Sequence, residues 1–395
     1  MMFPMKYIIK ALAIIVAITV LANISFISVF KINLGSDYYA VMIVAFVYLI
    51  ITGKTLYLNS TMVIFVFACL ISILFNEIPD LFNPYQRFIA FLIVMGLVGP
   101  LITNHTLQKF RLNVFEIINI LIVAMVLISF IGGAAGLPIM YRKNALAGVF
   151  NHSMVMGPMA AIAMIVSINW LNKSEKRNRR WGFVVAALAF LTCVAAGSRV
   201  ALMAAIAGTL FYYYKINQGR LTRFVRSVLL IGFLLVVSFP LWETNTERLM
   251  DKMAFSNEKG DLTVSRTELW KVRLYEFKTS PIIGFGFSSV DVTKTEKFDE
   301  KEGTIEPGSS WLAVLAMTGI FGILPLIWLI FRYMKYVFRD KTDKYQSAFL
   351  GALMILFCVH MLAEGYIFAA GSGMFFYYWL LMGMMEQKMN YKLEL

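Results

Sequence analysis

Charge is the first thing in short supply. Only 15% of the 395 residues are charged and 59% are hydrophobic, against about 25% charged and about 45–50% apolar in an ordinary soluble domain. That balance excludes a soluble globular protein and describes a polytopic membrane protein. Cysteine is scarce too: Cys69, Cys193 and Cys358 all lie inside apolar runs, where they read as small buried hydrophobes and offer neither a disulfide framework nor a metal cluster. The three histidines, His105, His152 and His360, are scattered over different loops and spans, so a metal site or a Ser-His-Asp triad has no support. No Walker A loop, GxGxxG, HExxH or DxD occurs, which leaves no sign of a cofactor or of a metal-held nucleotide sugar. The formal charge of +13 would suggest nucleic acid in a soluble chain. Here it reports loops facing the cytoplasm, where Lys and Arg accumulate, and no nucleic-acid partner is expected.

What is present is apolar length. A helix crosses the hydrocarbon core with about 20 apolar residues. On that ruler the chain carries about twelve spans, 7–30, 38–53, 61–75, 87–103, 113–132, 153–171, 181–197, 199–214, 225–241, 309–331, 347–364 and 373–385. Several, 38–53 and 373–385 among them, are short. The amino terminus resembles a signal peptide's basic front, but the run from Ile8 to Phe30 is too long and lacks a small-residue cleavage site, so it reads as the first span. Segments 172–180, 215–226 and 332–344 are strongly basic and lie an even number of spans apart. They therefore share a face, expected to be cytoplasmic, with both termini inside. Of Lys and Arg, the short loops of the other face carry only Lys31, Arg87, Arg142, Lys143 and Arg199.

The one long loop, 242–308, differs in kind. It holds 13 of the 23 acidic residues and ten Lys or Arg, a mixture that describes a water-facing cap. The expected organisation is therefore 1–241 with nine transmembrane helices, 242–308 outside, and 309–395 with three more. Within the cap, SRTELWKVRLYEFKTSP places Ser265 and Glu268 as a capping box and Pro281 as a stop. Trp270, Leu274 and Phe277 recur at helical spacing, predicting an amphipathic helix of about four turns. Arg266 and Arg273 share one face of it, about 10 Å apart along the axis.

Arginine breaks the pattern of the outer face. From Gly182 to Tyr214 the only charge is Arg199, at a turn where Ser198 is placed to cap the next helix. A cation in a helix's first turn opposes the helix dipole, and arginine deep in lipid costs several kcal/mol. One reading is an interfacial arginine snorkelling to lipid phosphate; the sharper one is a cation kept for a phosphate-bearing substrate. Arg142 and Lys143, in MYRKNALAGVFNHS, again run against the orientation rule, and His152 there reads as an interface residue. Three outer elements thus each supply arginine, whose planar donors suit phosphate. His360 and Glu364, four apart on one helix, read as a structural polar contact.

GSRVALMAAIAG (197–208), LWKVRLYEFKTSPIIGFGFSSV (269–290) and EPGSSWLAVLAMTGIFGILPLI (306–327) follow one another in an order that resembles the O-antigen ligase and O-antigen polymerase (Wzy) superfamily. YRKNALAGVFNHS is similar to that family's arginine-bearing loop. The resemblance covers roughly 140–330. It implies an all-α, membrane-embedded glycosyltransferase of GT-C-like type in the bacterial cytoplasmic membrane. Such an enzyme joins glycans carried on undecaprenyl diphosphate at the outer face, without metal or nucleotide sugar. Carried over by position, Arg199 and Arg266 are similar to the family arginines that hold the diphosphate, and Arg142 to its loop arginine. Ligases of the family place a His-Asn pair where this chain has Ser309-Ser310. That departure favours a polymerase of repeat units and leaves Glu306 as the nearest carboxylate for the acceptor proton.

Lys143 and Arg273 are then expected to support the anion, Ser309, Ser310 and Trp311 to line the sugar site, and Tyr366 to lie beside it. For Trp311 and Tyr366 an interfacial role is an equal alternative. The implied partners are lipid-linked donor and acceptor, membrane lipid, a flippase and a chain-length regulator. Transfer to another acceptor by a ligase is one alternative. A lipid-linked oligosaccharide flippase is the other, though a transporter would carry charges or paired broken helices at mid-span.

Overall fold

In a computed structural model the chain is described at residues 5–25, 35–53, 55–142, 145–173, 176–218, 220–237, 264–294 and 305–390. Thirteen α-helices lie among them. They are α1 (Met5–Ile24), α2 (Gly35–Ile51), α3 (Ser60–Leu74), α4 (Pro84–Leu97), α5 (His105–Ala134), α6 (Ser153–Lys173), α7 (Lys176–Ala195), α8 (Arg199–Ile216), α9 (Leu221–Val237), α10 (Val264–Thr279), α11 (Ser310–Arg339), α12 (Lys344–His360) and α13 (Gly373–Asn390). Two antiparallel pairs of two-residue strands complete the fold, β1 (Tyr57–Leu58) with β2 (Ile102–Thr103) and β3 (Tyr141–Arg142) with β4 (Ala145–Leu146). Each apolar run of the sequence overlaps one helix, with 87–103 reaching beyond α4 and 7–30 and 225–241 reaching beyond the described residues, and α10 lies where the cap helix is expected. By length and apolarity, four of the described helices qualify to cross a membrane, namely α1, α5, α6 and α11.

Helix α13, built on one of the shortest runs, is buried at every residue from Gly373 to Gln387. A helix apolar all round belongs at the centre of a bundle, and α13 sits there against α1, α4, α5, α11 and α12. Helices α8 and α12 pack closely through small residues: a Cβ on Gly208 would fall 2.8 Å from the Ala352 carbonyl, the close approach that glycine permits between helices in lipid.

Contacts sort the helix ends into two sets. At one end Ser25 pairs with Phe150, Asn23 Nδ2 donates to the Gly371 carbonyl, and Asn76 Nδ2 donates to the Gly284 carbonyl. At the other, Lys215 Nζ donates to the Phe338 and Asp340 carbonyls, Lys173 to Gln346, and Lys388 to Ser347. The basic segments belong to this second end. Buried Arg111 caps the C-terminal carbonyls of α4 there, donating to Gly96 and Leu97 at 3.0 Å, where a cation complements the helix dipole.

The run 309–331 reads as one span, but α11 is broken inside it. Gly319 adopts φ 62°, ψ −163°. The amides of Ile320 and Phe321 turn away from their own helix and donate to the Pro281 and Ile282 carbonyls, while Phe285 and Gly286 donate back to the Ala316 and Met317 carbonyls. Ser72 Oγ also donates to Met317 O. The segment after α10 thus enters the hydrogen-bond ladder of α11 and satisfies the groups that the break exposes. No side chain fits here unless the backbone shifts: a Cβ on Gly284 or Gly319 would lie 2.3 Å from the facing backbone.

Candidate functional site

Helix α10 buries a charged face. Arg266, Trp270, Arg273 and Glu276 turn inward, whereas Leu274, expected on the apolar stripe, is exposed. The cause is pairing: Arg273 Nη1 donates to Glu276 Oε2 at 2.8 Å and to the Ser289 carbonyl at 3.1 Å, and Glu276 Oε1 accepts from Asp291 N at 2.7 Å. Both side chains are sealed, at 2% and 0% exposure. Burial lowers the Arg273 pKa and raises that of Glu276, each against the pull of its partner's charge. The pair clamps residues 289–291 to α10. Ser265 lies within α10, whose first described residue is Val264.

Two turns earlier, Arg266 reaches two carboxylates. Its Nη1 donates to Glu306 Oε1, and its Nη2 donates to Glu364 Oε1 at 2.7 Å. Glu306 is 66% exposed, Glu364 21% and Arg266 14%, so this cluster meets solvent where the Arg273 pair does not. Glu364 was legible only as a neighbour of His360. In the structure it serves Arg266, and His360 Nδ1 lies 3.4 Å from the Tyr366 hydroxyl.

The serines fix the turn that carries Glu364. Ser309 N-caps α11 by accepting from Leu312 N, and its hydroxyl donates to the Met361 carbonyl at 3.1 Å. Ser310 Oγ donates to the Glu364 carbonyl at 2.7 Å and accepts from Tyr366 N at 3.0 Å. The Trp311 indole donates to the Cys358 carbonyl at 3.0 Å. Tyr366 is buried, and burial pushes its phenol pKa well up. Ser309, Ser310 and Trp311, expected to line a sugar site, and Tyr366, expected beside it, tie α11 to residues 358–366 and thereby aim Glu364 at Arg266.

Arg199 opens α8 behind the Ser198 cap, whose side chain accepts from Ala201 N at 3.3 Å. Arg142 stands on β3, half-buried, with Nη1 3.4 Å from the Tyr141 carbonyl. Both lie at the same end as α10. Lys143 falls outside the described residues, as do 242–263 and 295–304 of the cap.

A cavity of about 380 Å³ opens beside the Arg266 cluster. Tyr39, Arg87, Ser288, Pro307, Gly365 and Phe368 are in its wall. Pro307 and Gly365 are the chain neighbours of Glu306 and Glu364, so cavity and cluster adjoin. Arg87 is the cation among the described lining residues, and Arg142, Arg199 and Arg266 are not part of that lining. Arg87 was visible in the sequence only as one of the cations on the outer loops. Among the described residues, no group of three or more His, Cys, Asp or Glu gathers to hold a metal.

Residues 184–327 match the family model described as Wzy_C, O-antigen ligase. The matched stretch, 144 of the 395 residues, is similar to that family's domain. It runs from α7 through the break of α11 and contains Arg199, Arg266, Arg273, Glu306 and Ser309 to Trp311; Arg87, Arg142, Glu364 and Tyr366 lie outside it. The family's work is surface-polysaccharide assembly of the ligase or polymerase type. No curated protein matches the chain significantly. Two passages that suggested the family, around Gly284 and around Thr318-Gly319, are the two partners that dock in the broken helix.

Proposed function

We propose that this protein polymerises a surface polysaccharide, joining undecaprenyl-diphosphate-linked repeat units at the outer face of a bacterial cytoplasmic membrane. In this reading it crosses the bilayer about twelve times with both termini inside. The acceptor's hydroxyl oxygen bonds to the donor's anomeric carbon, the bond from that carbon to the diphosphate breaks, and undecaprenyl diphosphate leaves. Arg199 and Arg266 stabilise the charge growing on the leaving diphosphate, an effect worth several kcal/mol in a water-poor site. Arg142 and Lys143 support it from their loop, and Arg273 does so by holding 289–291.

Glu306 takes the hydroxyl proton. At rest it is bonded to Arg266, and with Glu364 the three groups carry one net negative formal charge. Departure of Glu306 from Arg266 both frees the guanidinium for phosphate and releases the base. That coupling, inside the matched domain and beside a cavity, is the observation that carries the reading. A flippase supplies the lipid-linked units and a chain-length regulator governs the product.

The test is direct. Purified full-length protein in lipid vesicles, given undecaprenyl-diphosphate-linked repeat units, is expected to yield lengthened glycans on the carrier. Glycan that stays single would overturn the proposal. Transfer to a different acceptor is the second reading, favoured by the family's description as a ligase, and the same assay with a candidate acceptor shows it as glycan leaving the carrier unlengthened.

A further inference from the structure

We infer that the end of the bundle carrying the basic segments holds a buried site for a small monovalent anion, a halide such as chloride. It lies between α5, α11 and α13 with Arg111 as its cation, at the opposite end from Arg266 and its cavity. Three observations carry it.

The first is charge. Arg111 is 0% exposed. Its Nε and Nη2 donate to the carbonyls of Leu97, Gly96 and Ile102, which are neutral acceptors. The carbonyls that end α4 offer a partial charge at most. Glu386 is the described acid whose charge acts on Arg111, but its carboxylate is engaged elsewhere. Oε2 accepts from Arg332 Nη2 at 2.5 Å and from the Tyr333 hydroxyl at 2.7 Å, and Oε1 accepts from Asn390 Nδ2 at 2.6 Å. Arg111, Arg332 and Glu386 together carry one net positive formal charge, and a buried charge without a counterion is costly.

The second is a surplus of donors. Arg111 Nη1, Gln108 Nε2, Arg332 Nε and Gln387 Nε2 are buried with no acceptor among the described residues, against one acceptor without a donor, Gln387 Oε1. Exchanging the two ends of the Gln387 amide changes nothing, because neither end is bonded. Water would bring two hydrogens of its own to a place with one acceptor, whereas an anion accepts from every side. The single net charge fits a monovalent ion and disfavours phosphate.

The third is register. Tyr377 of α13 donates to Asn119 of α5 at 2.6 Å. About two turns toward the basic end Arg111 meets Gly383, where a Cβ would lie 3.4 Å from Arg111 Cδ. The two helices are therefore antiparallel, and one turn further on Gln108 and Gln387 follow on the same two faces. Both are sealed, at 5% and 0% exposure. Glu386, the chain neighbour of Gln387, brings Arg332 and Tyr333 of α11 to the same level. A halide seated among these donors ties three helices into one layer.

Anion-dependent stability tests this. Full-length protein in nanodiscs is exchanged into chloride-free gluconate buffer and titrated with chloride or bromide at constant ionic strength. The melting temperature is expected to rise saturably with either halide, since a ligand that binds only the folded state stabilises it. Arg111→Met is expected to abolish the rise. Gln387→Leu, which leaves the Arg111 bonds to α4 in place, is expected to weaken chloride about tenfold and guards against a misfolded Arg111→Met. Anomalous scattering from crystals grown in bromide should place the ion beside Arg111 Nη1. A wild-type melting temperature indifferent to the exchange of gluconate for halide, the outcome for a layer solvated by water, would overturn the site. An undiminished halide response in Gln387→Leu would overturn it too, whether or not Arg111→Met folds.

Discussion

Arg266 and Arg273 project from one face of α10, two turns apart, and meet opposite surroundings. Around Arg273 the structure is shut: one arginine, one glutamate, no exposure, and a loop backbone that completes the hydrogen bonding. Around Arg266 it is open, with one arginine shared by two carboxylates at a cavity edge. A buried pair is costly to assemble and costlier to break, so it reports architecture. A part-buried guanidinium whose partner Glu306 is exposed reports chemistry. The far end of the bundle repeats the shut pattern, where Asp340 accepts from Ser347 and Thr342 and pairs with Lys388 at 3.2 Å.

The comparison breaks most visibly at the shut pair. Glu276→Ala leaves Arg273 buried and unpaired, and is expected to cost about 3–5 kcal/mol, seen as loss of folded protein in thermal unfolding of the detergent-solubilised chain. Arg266→Ala should do the reverse: polymer synthesis falls about 10²–10³-fold, while stability changes by about 1 kcal/mol or less because the freed carboxylates reach water. Equal effects of the two substitutions on stability would erase the distinction.

Gly319→Ala is expected to cost about 1–3 kcal/mol, since its Cβ meets the Ile282 backbone, and limited proteolysis between α10 and α11 should accelerate. Among the acids, Glu306→Gln should slow transfer about 10²-fold and Glu364→Gln less, because Glu306 is the more exposed and the freer to move; the reverse order in single-turnover rates would move the base to Glu364.

The smallest effect concerns pH. Burial pushes the Asp340 carboxyl up, but hydrogen bonds from Ser347 and Thr342 and the Lys388 charge outweigh it and hold the group below the usual carboxylate range. A depressed folded pKa stabilises at pH above the unfolded value of about 4, and the gain is lost as pH falls through and below that value. Asp340→Asn should flatten the melting temperature against pH in that range.

Helices were legible because apolar length and the 3.6-residue period are local properties, and the cap helix because charge and aromatic spacing coincide in it. The break at Gly319 was hidden: one glycine in an apolar run reads as tolerated, and only the remote 281–286 segment explains it. Ser309, Ser310 and Trp311 read as substrate groups by position, yet their polar atoms serve a turn fifty residues on in the chain, a pairing that spacing cannot encode. Glu364 and Arg87 carried one signal each, an acid at a helix end and a cation on the wrong face. Neither signal names its partner, since Arg266 and Ser288 come from the cap.

The central claim is that Arg266, and the cavity end it belongs to, performs glycan joining. It is tested most directly by complementing a strain deleted for this protein with the wild type and with Arg266→Ala at equal protein level, and resolving the carrier-linked and surface glycans by size. Long chains with the wild type and single repeat units with Arg266→Ala are predicted; chains of normal length with Arg266→Ala would contradict the account.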